Sequence, residues 1–123
     1  MINVSTSGDI YALHVKGDID HAEMVDLRNA IADIIREGHS KVVLSMREVD
    51  HINYLSVGVL VERLKRLRNC GGDLKLVGMN EYLRNIFTVV GAEEFFDTFE
   101  SMEDAMSSFS SWQGFEDSLT REG

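Results

Sequence analysis

Apolar residues recur along this chain in two rhythms. Between Asp20 and Gly38, Met24, Leu27, Ile31 and Ile34 follow one another at spacings of three, four and three. That spacing gathers side chains on one face of a helix. Asp20 stands where an N-cap is needed, and Glu23 three residues on makes a capping-box pattern. Val57, Leu60, Leu64 and Leu67 repeat the stripe and predict a second helix, ended by Gly71-Gly72. A third runs from an Asn80 cap through Leu83, Ile86, Phe87 and Val90 to a stop at Gly91. Ser101 followed by Asp104 opens a last one.

The second rhythm is shorter. Lys41 to Met46 and Leu74 to Val77 are β-branched or nearly continuous apolar runs, as strands buried on both faces are. Residues 10–16 mix apolar and polar positions and predict a strand, paired with a weaker one at 2–6 through a turn at Gly8-Asp9. Gly17-Asp18 reads as a further turn, the residues after Met46 as a polar connection, and Phe95 to Phe99 as a short strand. Strands alternating with amphipathic helices imply an α/β domain with a largely parallel or mixed sheet. Residues 1–106 form that domain. Residues 107–123 are a helical or partly disordered extension, in which Phe109, Trp112, Phe115 and Leu119 make a stripe that packs back on the domain or meets a partner.

Composition narrows the function more than the fold. An apolar fraction of 44% and a charged fraction of 27% are ordinary for a folded domain and exclude wholesale disorder. The net charge of −9 weighs against nucleic acid or an anionic membrane surface as the main partner. Arg63, Lys65, Arg66 and Arg68 fall together and read as the solvated face of the second helix. The first residues lack a basic and an apolar signal region, no apolar run reaches the ~20 residues of a membrane span, and Cys70 has no cysteine to pair with. A cytoplasmic location is the expectation by elimination.

Chemistry is hard to find. His14, His21, His39 and His51 are scattered without metal-ligand spacing. Gly71-Gly72 lacks the Lys-Ser or Lys-Thr of a phosphate-binding loop, and Cys70 has no CxxC partner. Asp18 and Asp20 could form a carboxylate pair, but turn and cap formation explain them better. The expectation is a non-enzymatic binding protein without cofactor or metal.

Several segments together resemble a known family. Val15-Lys16-Gly17-Asp18-Ile19-Asp20 resembles the early Gly-x-(Leu/Ile)-Asp element of the STAS domain, the fold of bacterial anti-sigma factor antagonists. Val42 to Gly58 is similar to that family's central strand, polar connection and the loop opening its second helix. Gly71-Gly72-Asp73-Leu74-Lys75-Leu76-Val77-Gly78 matches its Gly-Gly-x-Leu-x-Leu-Val-Gly segment. Leu83 to Gly91, Phe95-Phe96 and Ser101 to Ala105 follow in the family's order. The resemblance implies a mixed, mostly parallel sheet of roughly four to five strands flanked by about four helices.

It also implies partner switching. In the best-known members a serine at the start of the second helix is phosphorylated by the anti-sigma factor, itself a kinase, and restored by a PP2C-type phosphatase. A phosphate there adds nearly two negative charges inside a docking surface. The family's loop reads approximately Ile-Asp-Ser-Ser-Gly-Leu-Gly, whereas this chain reads Ile52-Asn53-Tyr54-Leu55-Ser56-Val57-Gly58. By position the acceptor serine is Tyr54, and the aspartate of the central strand is Ser45. Ser56 is a displaced candidate, although two residues along a helix turn a side chain by about 200°. The expectation is that the usual serine switch does not operate and that Tyr54 and Leu55 are apolar contacts. The resemblance thus points to docking on a switch-kinase anti-sigma factor through residues 53–58 and the second helix, bordered by Asp18 and Asp20. Scaffolding in a larger signalling or transport complex, small-ligand sensing and homodimerisation are the other readings.

Overall fold

The structure, a computed structural model, describes residues 2–109. Its elements run β1 (Ile2–Ser7), β2 (Ile10–Ile19), α1 (His21–Arg36), β3 (Lys41–Ile52), α2 (Tyr54–Asn69), β4 (Asp73–Val77), α3 (Glu81–Val89), a 3-10 turn (Glu93–Phe95), β5 (Thr98–Phe99) and α4 (Met102–Ser107). The sheet has the order β1-β2-β3-β4-β5. Only β1 and β2 run antiparallel, joined by a turn at Gly8-Asp9; the other neighbours are parallel.

The apolar stripes account for the layering. Met24, Leu27, Ile31 and Ile34 of α1 and Val57, Leu60, Leu64 and Leu67 of α2 pack with Leu83, Ile86 and Phe87 of α3 on one face of the sheet. Val42, Leu44 and Met46 of β3 meet them there. The alternate strand residues Ile10, Ala12, Val43 and Val77 face the other way and form a second core with Ala105, Met106 and Phe109 beneath α4. Burying one such aliphatic side chain stabilises by about 1.5–3 kcal/mol. Period-two alternation therefore divides one sheet between two helical layers. Of the C-terminal stripe, Phe109 belongs to the second core; Trp112, Phe115 and Leu119 lie outside the described residues.

Three expectations need correction. β2 does not end at Gly17-Asp18 but continues to Ile19, with Gly17 at a φ of +88° and the pairing to β3 shifting register on either side. β3 likewise continues through the supposed polar connection to Ile52. The two extensions pair with each other, so each supplies the backbone partners that its charged sequence does not advertise. Phe95 to Phe99 is a 3-10 turn followed by a strand of only two residues, Thr98 and Phe99. Phe96 instead leaves the sheet and packs edge-on against Phe87, ring centroids 5.6 Å apart.

The basic run is not one solvated face either. Arg63 is 8% exposed, and its Nε donates to Glu62 Oε1 at 2.7 Å. Arg66 reaches the other oxygen of Glu62, while Arg68 bonds both Asp73 and the Phe95 carbonyl. The Arg63 hydrogen bond, with Arg66 adding to it, holds the Glu62 carboxyl below its ordinary value of 4.5 against an opposing push from burial. A carboxyl depressed by folding stabilises the native state above its unfolded pKa, and that stability is lost as pH falls through the folded value. Glu62→Gln is accordingly expected to lower stability by up to about 1 kcal/mol at neutral pH, since the site is partly screened by solvent. Urea midpoints at neutral pH and near pH 3 should show the gap between variant and parent closing in acid.

Candidate functional site

At the carboxyl end of the parallel strands the chain makes the same turn twice. β2 ends at Ile19 and Asp20 caps α1, its Oδ1 accepting from the Glu23 amide at 2.8 Å. β3 ends at Ile52 and Asn53 caps α2, its Oδ1 accepting from the Leu55 amide at 2.7 Å. The Asn53 amide donates to the Ile19 carbonyl at 3.2 Å and ties the two turns together. Both long helices therefore start side by side at one edge of the sheet, the edge where open α/β folds meet their ligands.

The first turn of α2 divides sharply. Val57 is fully buried in the apolar stripe, and Ser56 is 4% exposed on the side facing α1. Tyr54 and Leu55 are open to solvent, 53% and 83% exposed, and Leu55 borders both the cleft toward α1 and the groove described next. Gly58 is exposed too, and a methyl group built on it would touch nothing. Next to these residues a groove of about 370 Å³ runs between α2 and the segment following α3, where Val61, Val90 and Phe95 complete its walls. Lys65 stands at its rim, Nζ 5.8 Å from the centre of the Phe95 ring.

The first turn of α3 joins the same edge. His51 Nδ1 and the Tyr82 hydroxyl are 2.5 Å apart, with Tyr82 half exposed. Asp18 lies opposite His51 in the β2–β3 ladder, and Asp18 and Asp20 are both exposed. Asp18, Asp20, Asn53, Tyr54, Leu55 and Gly58 thus share one accessible edge, whereas Val57 is fully buried and Ser56, 4% exposed, is set back in a cleft toward α1. Ser45 lies elsewhere, on the strand face that turns toward the second core.

Tyr82, Val90 and Phe95 are what sequence reasoning missed. Val90 fits the α3 stripe by spacing, yet it sits one residue past the helix and is 40% exposed. Phe95 fits a strand, yet the 3-10 turn leaves it 43% exposed. An apolar residue at a helix end or in a turn carries no local mark of whether its own core will reach it.

Among the described residues no group of three or more His, Cys, Asp or Glu is placed to hold a metal ion. Cys70 is exposed at the C-cap of α2. Nor is any described helix long and apolar enough to cross a membrane. An exposed aromatic and aliphatic cluster rimmed by charge is instead what a protein-docking surface looks like.

Known proteins resemble this chain in sequence and in fold. An anti-sigma-B factor antagonist of Staphylococcus epidermidis is 24% identical over 102 residues, which cover 83% of this chain and 94% of the relative. The fold superposes on an anti-sigma factor antagonist of Mycobacterium paratuberculosis with a TM-score of 0.79 at 17% identity, covering 90% of this chain and 94% of that one. It superposes on the unphosphorylated form of the anti-sigma factor antagonist SpoIIAA with a TM-score of 0.78 at 15% identity, covering 89% and 96%. The sequence model of the STAS domain matches residues 1–105, and with five strands, four helices and the capped edge in place among the described residues, the chain belongs to the STAS domain family.

Proposed function

We propose that this protein is a non-catalytic regulator that binds an anti-sigma factor of the switch-kinase type through the exposed first turn of α2, without a serine phospho-switch. Relatives named as anti-sigma factor antagonists support the first half of that reading. The second half is carried by one observation: the acceptor position holds an outward-facing Tyr54, while the nearby hydroxyl of Ser56 belongs to a residue only 4% exposed. A serine kinase must bring its acceptor hydroxyl to the γ-phosphate in line. Ser56 is set back in the small cleft between the first turns of α1 and α2, and the phenol of Tyr54 projects well beyond the place of a serine hydroxyl.

Tyr54 and Leu55 then act as apolar anchors, the residue types that dominate binding when they enter a desolvated pocket. Val57 and the Asn53 cap act by holding the turn in position, and Asp18 and Asp20 act at the border of the contact.

The test is to mix the purified protein with the switch-kinase anti-sigma factors of its own genome and ATP. A stable complex by size-exclusion chromatography is expected, together with an unchanged intact mass and an unmodified peptide over residues 48–63. Stoichiometric phosphate on Tyr54 or Ser56, with dissociation of the complex, would overturn the switch-free reading. Failure of every such factor to bind would overturn the docking reading itself.

A further inference from the structure

We propose that the cleft between the last turns of α1 and α2 binds a small organic carboxylate, held by the guanidinium of Arg63. The cleft has a volume of about 350 Å³, with Arg36 on its α1 side, Arg63, Arg66 and Asn69 on its α2 side, and Cys70 at its end. Both helices are sixteen residues long. At about 1.5 Å per residue the cleft lies roughly 15–20 Å from their first turns and from the docking edge. Its size falls at the small end of the range for sites that take metabolite-sized ligands.

Arg63 is the first observation. A long basic side chain ordinarily lays its stem on apolar surface and keeps its head in water. The side chains of Arg36, Arg66, Arg68 and Arg84 do so, 36% to 70% exposed. That of Arg63 is only 10% exposed. Its Nε bonds Glu62, but among the described residues neither Nη1 nor Nη2 has a hydrogen bond or an ion pair. Yet no fully buried side-chain nitrogen among those residues lacks a hydrogen bond. Both terminal nitrogens therefore reach open space, and the open space that Arg63 lines is the cleft. A guanidinium withdrawn from water is costly unless its N–H groups are engaged, so this one is poised for an acceptor.

The walls are the second. Three arginines line the cleft and no acidic residue does. Asp33 and Glu62, which bond these arginines from outside the lining, are two carboxylates against three guanidiniums. Each helix C-terminus adds about half a negative charge, so the long-range field is weak and recognition rests on directed hydrogen bonds. The terminal nitrogens of one guanidinium match the two oxygens of a planar carboxylate. Ala32 and Ile35, both half-buried, give the α1 wall an apolar stretch for the hydrocarbon body of the ligand. The Asn69 amide is a further donor for a carboxylate oxygen.

This site stands apart from the docking reading, and its test uses no partner protein. The full chain, 15N-labelled, is titrated with sodium hexanoate and separately with acetate, phosphate and chloride at matched ionic strength. Saturable shifts at Ile35, Arg63, Asn69 and Cys70 are expected with hexanoate, with a Kd of about 1 mM. Acetate lacks the apolar body and should bind about tenfold more weakly, while phosphate and chloride should not saturate. Arg63→Met keeps an apolar stem in place and removes the fork, and should weaken hexanoate binding at least about tenfold. Cys70, the single cysteine of the chain, gives a second readout that needs no substitution. Hexanoate at about ten times its Kd should slow alkylation of Cys70 by iodoacetamide roughly tenfold, because it fills the space beside the thiol. Shifts that fail to saturate, that acetate or phosphate reproduces at equal concentration, or that persist unchanged in Arg63→Met would overturn the proposal, as would alkylation indifferent to hexanoate.

Discussion

Leu55→Asp is expected to weaken binding of the anti-sigma factor at least about thirtyfold, the equivalent of a 2 kcal/mol hot spot. Leu55 is 83% exposed, so the folded monomer loses no packing when it is replaced. The first turn of α2 carries no acidic residue, and an aspartate there interacts favourably with the helix N-terminus. Thermal stability should therefore stay within about 0.5 kcal/mol of the parent. In the complex the same carboxylate would be desolvated against an apolar pocket without a partner, which is costly. Calorimetric titration against the anti-sigma factor, with melting curves of both variants, separates the two effects. Val4→Asp is the control: Val4 is half exposed on the edge strand β1, outside the α2 groove, and its replacement should leave affinity unchanged. Undiminished binding by Leu55→Asp would remove the first turn of α2 from the interface.

The largest effect on stability is expected at Gly72. A methyl group on this residue would lie 1.8 Å from the carbonyl oxygen of Ser40 and 2.3 Å from its carbonyl carbon. Both are backbone atoms and cannot rotate away. The same carbonyl accepts from the Asp73 amide at 3.0 Å, at the point where β4 enters the sheet beside β3. Gly72→Ala must push the two strands apart there, at a cost of about 3 kcal/mol or more. Gly71→Ala is the contrast, because Gly71 has a φ of +87° but open space where a methyl would go. Its cost is the left-handed backbone alone, about 1 kcal/mol. Urea denaturation of the two variants should rank Gly72→Ala well below Gly71→Ala. The reverse order would mean that backbone conformation, and not the approach of Ser40, decides this turn.

Adjacent glycines with unlike roles show how far the chain can be read by itself. Gly71-Gly72 marks the end of a helix in the sequence, and the helix does end there; that Gly72 alone is pressed against Ser40 depends on a residue 32 positions earlier. The same holds for the strands. Val42 to Met46 announces itself by composition, but Arg47 to Ile52 is rich in charge and becomes strand only because β2 runs on beside it.

The candidate site divides along the same line. The Asp20 and Asn80 caps, the Ser101 cap and the four-residue apolar stripes of α1 and α2 are local signals, because a cap bonds within three residues and a stripe repeats within one helix. From the order of those elements follow an α/β sheet, helices over it and a loop between β3 and α2. Tertiary structure decided which of these residues face outward. It closed the groove with Val90 and Phe95, brought Tyr82 onto His51, sent Ser45 to the far side of the sheet, buried Arg63 and set Ser56 opposite Arg28. Exposure is a property of what packs against a residue, and the packing partners here come from elements far apart along the chain.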